Sequence, residues 1–241
     1  MIRKGSLMAL LPAYIYILCL FLLITVAGTK TLSVFNENQP AVGRSCIVID
    51  PGHGGEDGGT TSCTGVLESH INLEIGMRLD DLLHLLGVKT VIIRTTDRSV
   101  HTTGNTIAER KVSDLKERVR IINEIKPVMA VSIHQNYYSD NRYYGPQVFY
   151  GHSGKSKAAA EYVQTALNSN LAPQSTRRAK QAEGIFLMKN ITSTGILIEC
   201  GFLSNQQEEA KLRSDEYQKK LCGVISAAIV NYLSLDDKKC G

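Results

Sequence analysis

VIDPGHGGEDGGT, residues 48–60, runs an apolar, β-branched segment straight into five glycines clustered around one histidine. Glycine suits backbone that must turn sharply or pass close to another group, so His53 is expected on a tight turn, in open space at a strand end. The strand, CIVID (46–50), shows no alternation of polar and apolar positions, and neither do TVIIR (90–94) and GILIEC (195–200). Such runs are buried on both faces. Two further strands are predicted at 128–134 and 147–151. Helical patterns lie between the strands at 66–87, 113–125 and 155–171, and a long closing helix is expected at 215–233. In the first, Leu67, Ile71, Ile75, Leu79, Leu82 and Leu86 form an apolar face, and Ser113 is the expected N-cap of the second. Two-sided strands separated by helices predict an α/β fold: a twisted, mostly parallel sheet flanked by helices on both faces.

In such sheets ligands gather at the carboxyl ends of the strands. CIVID leads to His53, VMAVSIH ends in His134, and GILIEC carries Glu199 near its end. Glu68 opens the helix after the glycine loop, so it falls on the same rim. Two histidines, a carboxylate and an open fourth position make a catalytic zinc site, and a second carboxylate nearby can carry protons. His53, Glu68, His134 and Glu199 therefore suffice for zinc-dependent amide hydrolysis. An acid inside GILIECGF is costly to bury unless it is paired or ligating. His70, His84, His101 and His152 lie on helix or in polar loops and are expected to be structural or solvated.

With 43% hydrophobic and 21% charged residues, the chain is long enough for one domain of about 200 residues plus an appendage. A net charge of +4 without a basic stripe or interleaved aromatics gives no case for nucleic acid. Residues 1–28 place Arg3 and Lys4 before an apolar stretch of membrane-spanning length. This predicts an N-terminal membrane segment with the bulk of the chain outside the cytoplasm. An uncleaved anchor is favoured over a cleaved signal peptide, because the stretch exceeds a usual signal core. Residues 29–44 read as a linker, 45–235 as the catalytic domain and 236–241 as a polar tail. Cys46, Cys200 and Cys222 lie in apolar patterns and are expected to be free and buried; Cys63 and Cys240 are expected at the surface, where they could pair. The polar stretch 98–114 reads as a surface loop running into helix, with substrate or partner contact as the sharper alternative.

At these residues the chain resembles the zinc-dependent N-acetylmuramoyl-L-alanine amidases of the Amidase_3 type. The resemblance rests on VIDPGHGGEDGG (48–59), LES around Glu68, LKERVRIIN (115–123), VSIHQN (131–136) and LIECGFLSNQQEEAKL (197–212), in the family's order. It implies zinc held by His53, Glu68 and His134, with Glu199 as general base and acid. The substrate implied is peptidoglycan, cut between N-acetylmuramic acid and the L-alanine of the stem peptide. Ser69, where the family usually has a basic residue, and Gln135, where it commonly has alanine, are departures expected to alter groove contacts or metal affinity. The N-terminal anchor and the lack of wall-binding repeats resemble the family's sporulation members. That implies a role in cortex maturation through muramic δ-lactam, a site between forespore and mother-cell membranes, and a lipoprotein activating partner of the kind some clostridial relatives need.

Three rival readings are weaker. The glycine loop fits neither dinucleotide nor P-loop spacing. Cys200 neighbours Glu199 on a strand and so faces away from it, and Cys63 has no evident partner for hydrolysis. A non-catalytic, membrane-anchored wall-binding or scaffold relative leaves the survival of all four chemical positions without a reason.

Overall fold

In the computed structural model, residues 46–237 are described. The expected membrane segment, the linker and Cys240 lie outside them. β1 (Ile47–Pro51), β2 (Thr90–Ile92), β3 (Met129–Asn136), β4 (Gln147–Tyr150), β5 (Lys180–Gln181) and β6 (Gly195–Phe202) form one sheet in the order β2-β1-β3-β6-β4-β5. β1 pairs in parallel with β2 and β3, β3 with β6, and β4 with β5; β4 runs antiparallel to β6. A parallel return needs a long crossover, usually a helix. The link 137–146 contains none, and β4 comes back in the opposite sense.

The helices are α1 (Glu68–Leu85), α2 (Ile107–Ile125), α3 (Gly154–Leu171), α4 (Phe186–Asn190), α5 (Gln206–Leu212) and α6 (Asp215–Asp237). The strands divide their side chains between two cores with the period of two that a pleat imposes. Ile47, Ile49, Val131, Ile133, Ile196 and Ile198 pack with α1, α3 and α6. Val48, Ala130 and Leu197 pack with Ile122 of α2 and with Leu187 and Met188 of α4. The two-sided runs thus have the cause read from sequence: helices cover both faces.

On α1 the buried face is Ile71, Ile75, Leu79 and Leu83. Leu86, expected on that face, is exposed because the helix has already ended and Gly87 turns at φ 78°. α2 begins six residues before the expected cap. Its N-cap is Thr106, in a reciprocal capping box with Glu109. Ser113 is instead buried inside the helix, where its hydroxyl accepts from the backbone N–H groups of Thr102 and Thr103, both at 3.1 Å. Of the stretch 98–114, residues 98–106 are therefore a strap tied down on the first turns of α2, and 107–114 are those turns. Cys200 and Cys222 are free and buried, Cys46 is free and half-buried, and Cys63 is exposed.

Candidate metal and active site

His53 stands just beyond β1, on the glycine loop, with φ 60°. That left-handed conformation is uncommon for a residue with a side chain and is held here by surrounding bonds. The glycines admit side chains. A Cβ on Gly52 would lie 2.2 Å from Nε2 of His134. One on Gly59, at φ 68°, would lie 2.7 Å from both Oε2 of Glu68 and Cδ2 of His53. Only glycine lets the backbone pass this close to the converging groups.

Glu68, first residue of α1, sits between two imidazoles. Its Oε2 lies 3.3 Å from Nε2 of His53, and its Oε1 lies 3.0 Å from Nδ1 of His134. One donor atom from each of His53, Glu68 and His134 falls within 4.8 Å of the others. The carboxylate also accepts from Thr60 N at 3.0 Å, Gln135 N at 3.1 Å and Asn72 Nδ2 at 3.2 Å, which fixes its position. Burial pushes the Glu68 carboxyl up, but the bonds from His134 and His53 outweigh it and hold the group well below the carboxylate range. Nδ1 of His53 bonds Oδ2 of Asp57 at 2.8 Å, leaving Nε2 toward Glu68. A carboxylate behind an imidazole fixes its tautomer and ring orientation.

Glu199 pairs in register with His134 across β3 and β6, so both side chains rise from the same face of the sheet. Its Oε2 is buried and has no hydrogen-bond partner, and burial pushes its carboxyl up to about 7. A cleft of about 350 Å³ joins His53, His134 and Glu199 to Lys111 of α2 and to Ile185 and Phe186 at the start of α4. An unpartnered acid of raised pKa in a cleft beside a His–Glu–His cluster is an arrangement for moving protons at a metal.

The family model for N-acetylmuramoyl-L-alanine amidases, Amidase_3, matches residues 47–231. The chain belongs to this family. The amidase is 37% identical over 190 residues to the germination-specific N-acetylmuramoyl-L-alanine amidase of Bacillus subtilis, covering 78% of this chain and 79% of that one. Among solved structures it resembles the CwlD amidase of Clostridioides difficile, determined in complex with the GerS lipoprotein. There the TM-score is 0.76 and the identity 34%, over 80% of this chain and 100% of that one. It also resembles the amidase AmiC2 of Nostoc punctiforme, with a TM-score of 0.68 and 28% identity over 79% and 97% of the two chains.

Two buried arginines carry the loop that presents His53, and local sequence patterning does not single them out. Arg118 of α2 donates to His53 O at 2.7 Å, to Pro51 O at 2.9 Å and to Asp114 at 2.6 Å, and it also pairs with Asp50. Arg94 donates to Pro51 O and Gly52 O, both at 2.9 Å, and to Ser69 O at 2.8 Å. Neither of the two departures from the family pattern lines the cleft at His53. Ser69 and Gln135 are both buried, and the Gln135 amide donates to Oδ1 of Asn72, which itself donates to Glu68. The remaining histidines bond elsewhere: His70 to Asp97, His84 to Thr90, His101 to Ser99 and His152 to Gln181.

Burial pushes the His53 imidazole down, but Asp57 and Glu68 outweigh it and raise it from 6.5 to about 9. Folded, metal-free amidase thus keeps protons on His53 and Glu199 that the unfolded chain gives up. Such stability is present below the unfolded pKa and lost as pH rises through the folded one. The window runs from 4.5 through about 7 for Glu199 and from 6.5 through about 9 for His53. The metal-free amidase is expected to melt at a lower temperature at pH 9 than at pH 6. Added zinc shifts the balance the other way, because a metal needs the imidazole deprotonated. A melting temperature that rises over this range without metal would contradict these pairings.

Proposed function

We propose that the amidase holds zinc through His53, Glu68 and His134 and hydrolyses the amide between N-acetylmuramic acid and L-alanine in peptidoglycan, with Glu199 as proton carrier. What carries the reading is Glu199: a buried, unpartnered carboxyl oxygen beside a triplet of two imidazoles and one carboxylate. That donor set, closed by Asp57 behind His53, suits a catalytic zinc with an open position. When bound, zinc would supply a water of pKa about 7 and draw electron density from the amide carbonyl.

The remaining work falls to this chain's own groups. Oε2 of Glu199 takes the proton of the attacking water as its oxygen joins the carbonyl carbon. The same oxygen then gives the proton to the alanine nitrogen as the carbon–nitrogen bond breaks. The products are a lactyl carboxylate on the sugar and an amino terminus on the peptide, which takes up the second water proton as the new carboxyl group sheds it. Burial sets the carboxyl near the pKa at which one group can do both tasks, and a cation in the triplet draws it further toward the ionised base form. Lys111 and Phe186 line the cleft in which the substrate would lie.

On this reading residues 45–235 are the catalytic domain, and the N-terminal stretch holds it at the outer face of a membrane. The germination-specific relative supports a role in spore cortex maturation, by which muramic acid is bared for δ-lactam formation between the forespore membranes. The GerS complex of the clostridial relative supports a lipoprotein partner here. The test is digestion of purified peptidoglycan by the zinc-loaded full chain. New L-alanyl amino termini should appear, vanish on chelation and return with zinc. New sugar reducing ends, or new termini inside the peptide, would overturn the reading.

A further inference from the structure

The loop leaving β3, NYYSDNRYYGP (136–146), holds four tyrosines, Tyr137, Tyr138, Tyr143 and Tyr144, each about half-exposed. It starts two residues beyond His134, on the same carboxyl-end rim as the metal-ligand triplet. Exposed tyrosine on a mobile loop would say little, but this loop is tied down. Asn205 Nδ2 donates to Asn141 O at 2.8 Å and to Tyr143 O at 3.3 Å. The Gly145 N–H donates to the buried Glu208 carboxylate at 2.7 Å, and Arg177 donates to Tyr144 O at 3.1 Å. The rings are set as well. Tyr138 and Tyr143 meet edge to face at 4.9 Å between centroids. Tyr143 leans on Phe202 at 6.0 Å, and the Arg177 guanidinium lies over that same Phe202 ring at 5.2 Å.

We infer that these tyrosines form a platform that binds the sugar rings of the glycan strand next to the cleaved muramic acid. The inference rests on the peptidoglycan reading above. A pyranose ring presents a flat face of C–H groups, faintly positive, that matches the negative face of an aromatic ring, and its equatorial hydroxyls need polar partners at the edge. The loop offers both: fixed rings and, between them, Asn141 and the exposed ion pair of Asp140 with Arg142, at 2.7 Å, whose outer edges can still bond a hydroxyl. The cut amide hangs from a muramic acid of the same strand, so on the peptidoglycan reading the glycan runs along the rim on which this loop stands. Exposed tyrosine and arginine suit a protein surface as well, and the test below separates the two. A stem peptide carries no pyranose ring to stack, and the cleft at Lys111 and Phe186 is open to it.

The test is binding of the full chain to glycan strands stripped of their peptides, which no amidase can cut. Co-sedimentation should show binding, weakened about tenfold by Tyr143→Ala or Tyr138→Ala and kept by Tyr143→Phe. On intact peptidoglycan the same alanine variants should raise KM with kcat unchanged, and on a single muramyl peptide they should match the wild type. No binding of stripped strands by the wild type, or equal affinity in the alanine variants, overturns the platform. Equal glycan affinity with loss of a protein partner overturns it too and assigns the loop to a protein interface. Glycan binding in a preparation that cuts no amide leaves the platform standing and removes the amidase mechanism, so the two readings fail separately.

Discussion

Glu199→Gln is expected to slow peptide release by about a hundred- to ten-thousandfold, the range that a positioned proton carrier contributes. The amide fills the same space and keeps the polar edge, but it can neither take nor return a proton. Zinc content should stay at the wild-type level, because the triplet of His53, Glu68 and His134 closes without Glu199. Folding should not suffer. Oε2 of Glu199 has no hydrogen-bond partner to lose, and ionising the buried acid above about pH 7 costs stability that glutamine does not. The variant should therefore melt no lower than the wild type at pH 8 in metal-free form. Zinc lost along with activity would mean that Glu199 is a ligand and the proton carrier lies elsewhere.

Arg118→Ala is expected to cost about 3–5 kcal/mol, the penalty for leaving a buried charge without its partner. Against a total stability of about 5–15 kcal/mol, that threatens the fold itself. Asp50 and Asp114 both face the guanidinium, and two backbone carbonyls of the His53 loop depend on it. Asp50 would keep the Ser132 hydroxyl at 2.7 Å, and Asp114 would keep the Val100 N–H at 2.7 Å, so the carboxylates would not be wholly stranded. Arg118→Lys separates the two roles of the residue. It retains the charge but not the planar fork that reaches four partners. It should fold, melt lower than the wild type and bind zinc more weakly, because the turn that presents His53 loses its tie at 2.7 Å. Thermal melting and zinc titration decide this, and an Arg118→Ala protein with wild-type melting would contradict the role assigned here.

Much of this is legible in the sequence where burial leaves a mark on neighbouring residues. β1 and β6 read correctly because helices cover both faces and few polar positions survive in them, and β3 because its first five residues carry a single serine. Glu199 stands out for the same reason, as the one acid in an apolar run. His53 and His134 are recognisable once strand ends are known to share a rim. Short elements leave less: α4 has five residues, α5 has seven and exposed β5 has two, too few to show a period. The start of α2 was within reach, since Thr106 and Glu109 spell a capping box, but Ser113 offers a competing cap closer to the apolar pattern. The arginine brace is hidden for a different reason. Arg118 reads as one charge among several on an amphipathic helix, and its partner Asp50 lies 68 residues away. Asp57 likewise looks like loop polarity until the turn brings it against His53.

The most direct measurement is zinc content and L-alanyl amino-terminus release, made on one preparation of the full chain and repeated on Glu199→Gln. The account predicts one zinc per chain in both proteins, with release from peptidoglycan by the wild type alone. Release by both proteins at similar rates would contradict it, because the buried acid that sets this site apart would then take no part in the chemistry.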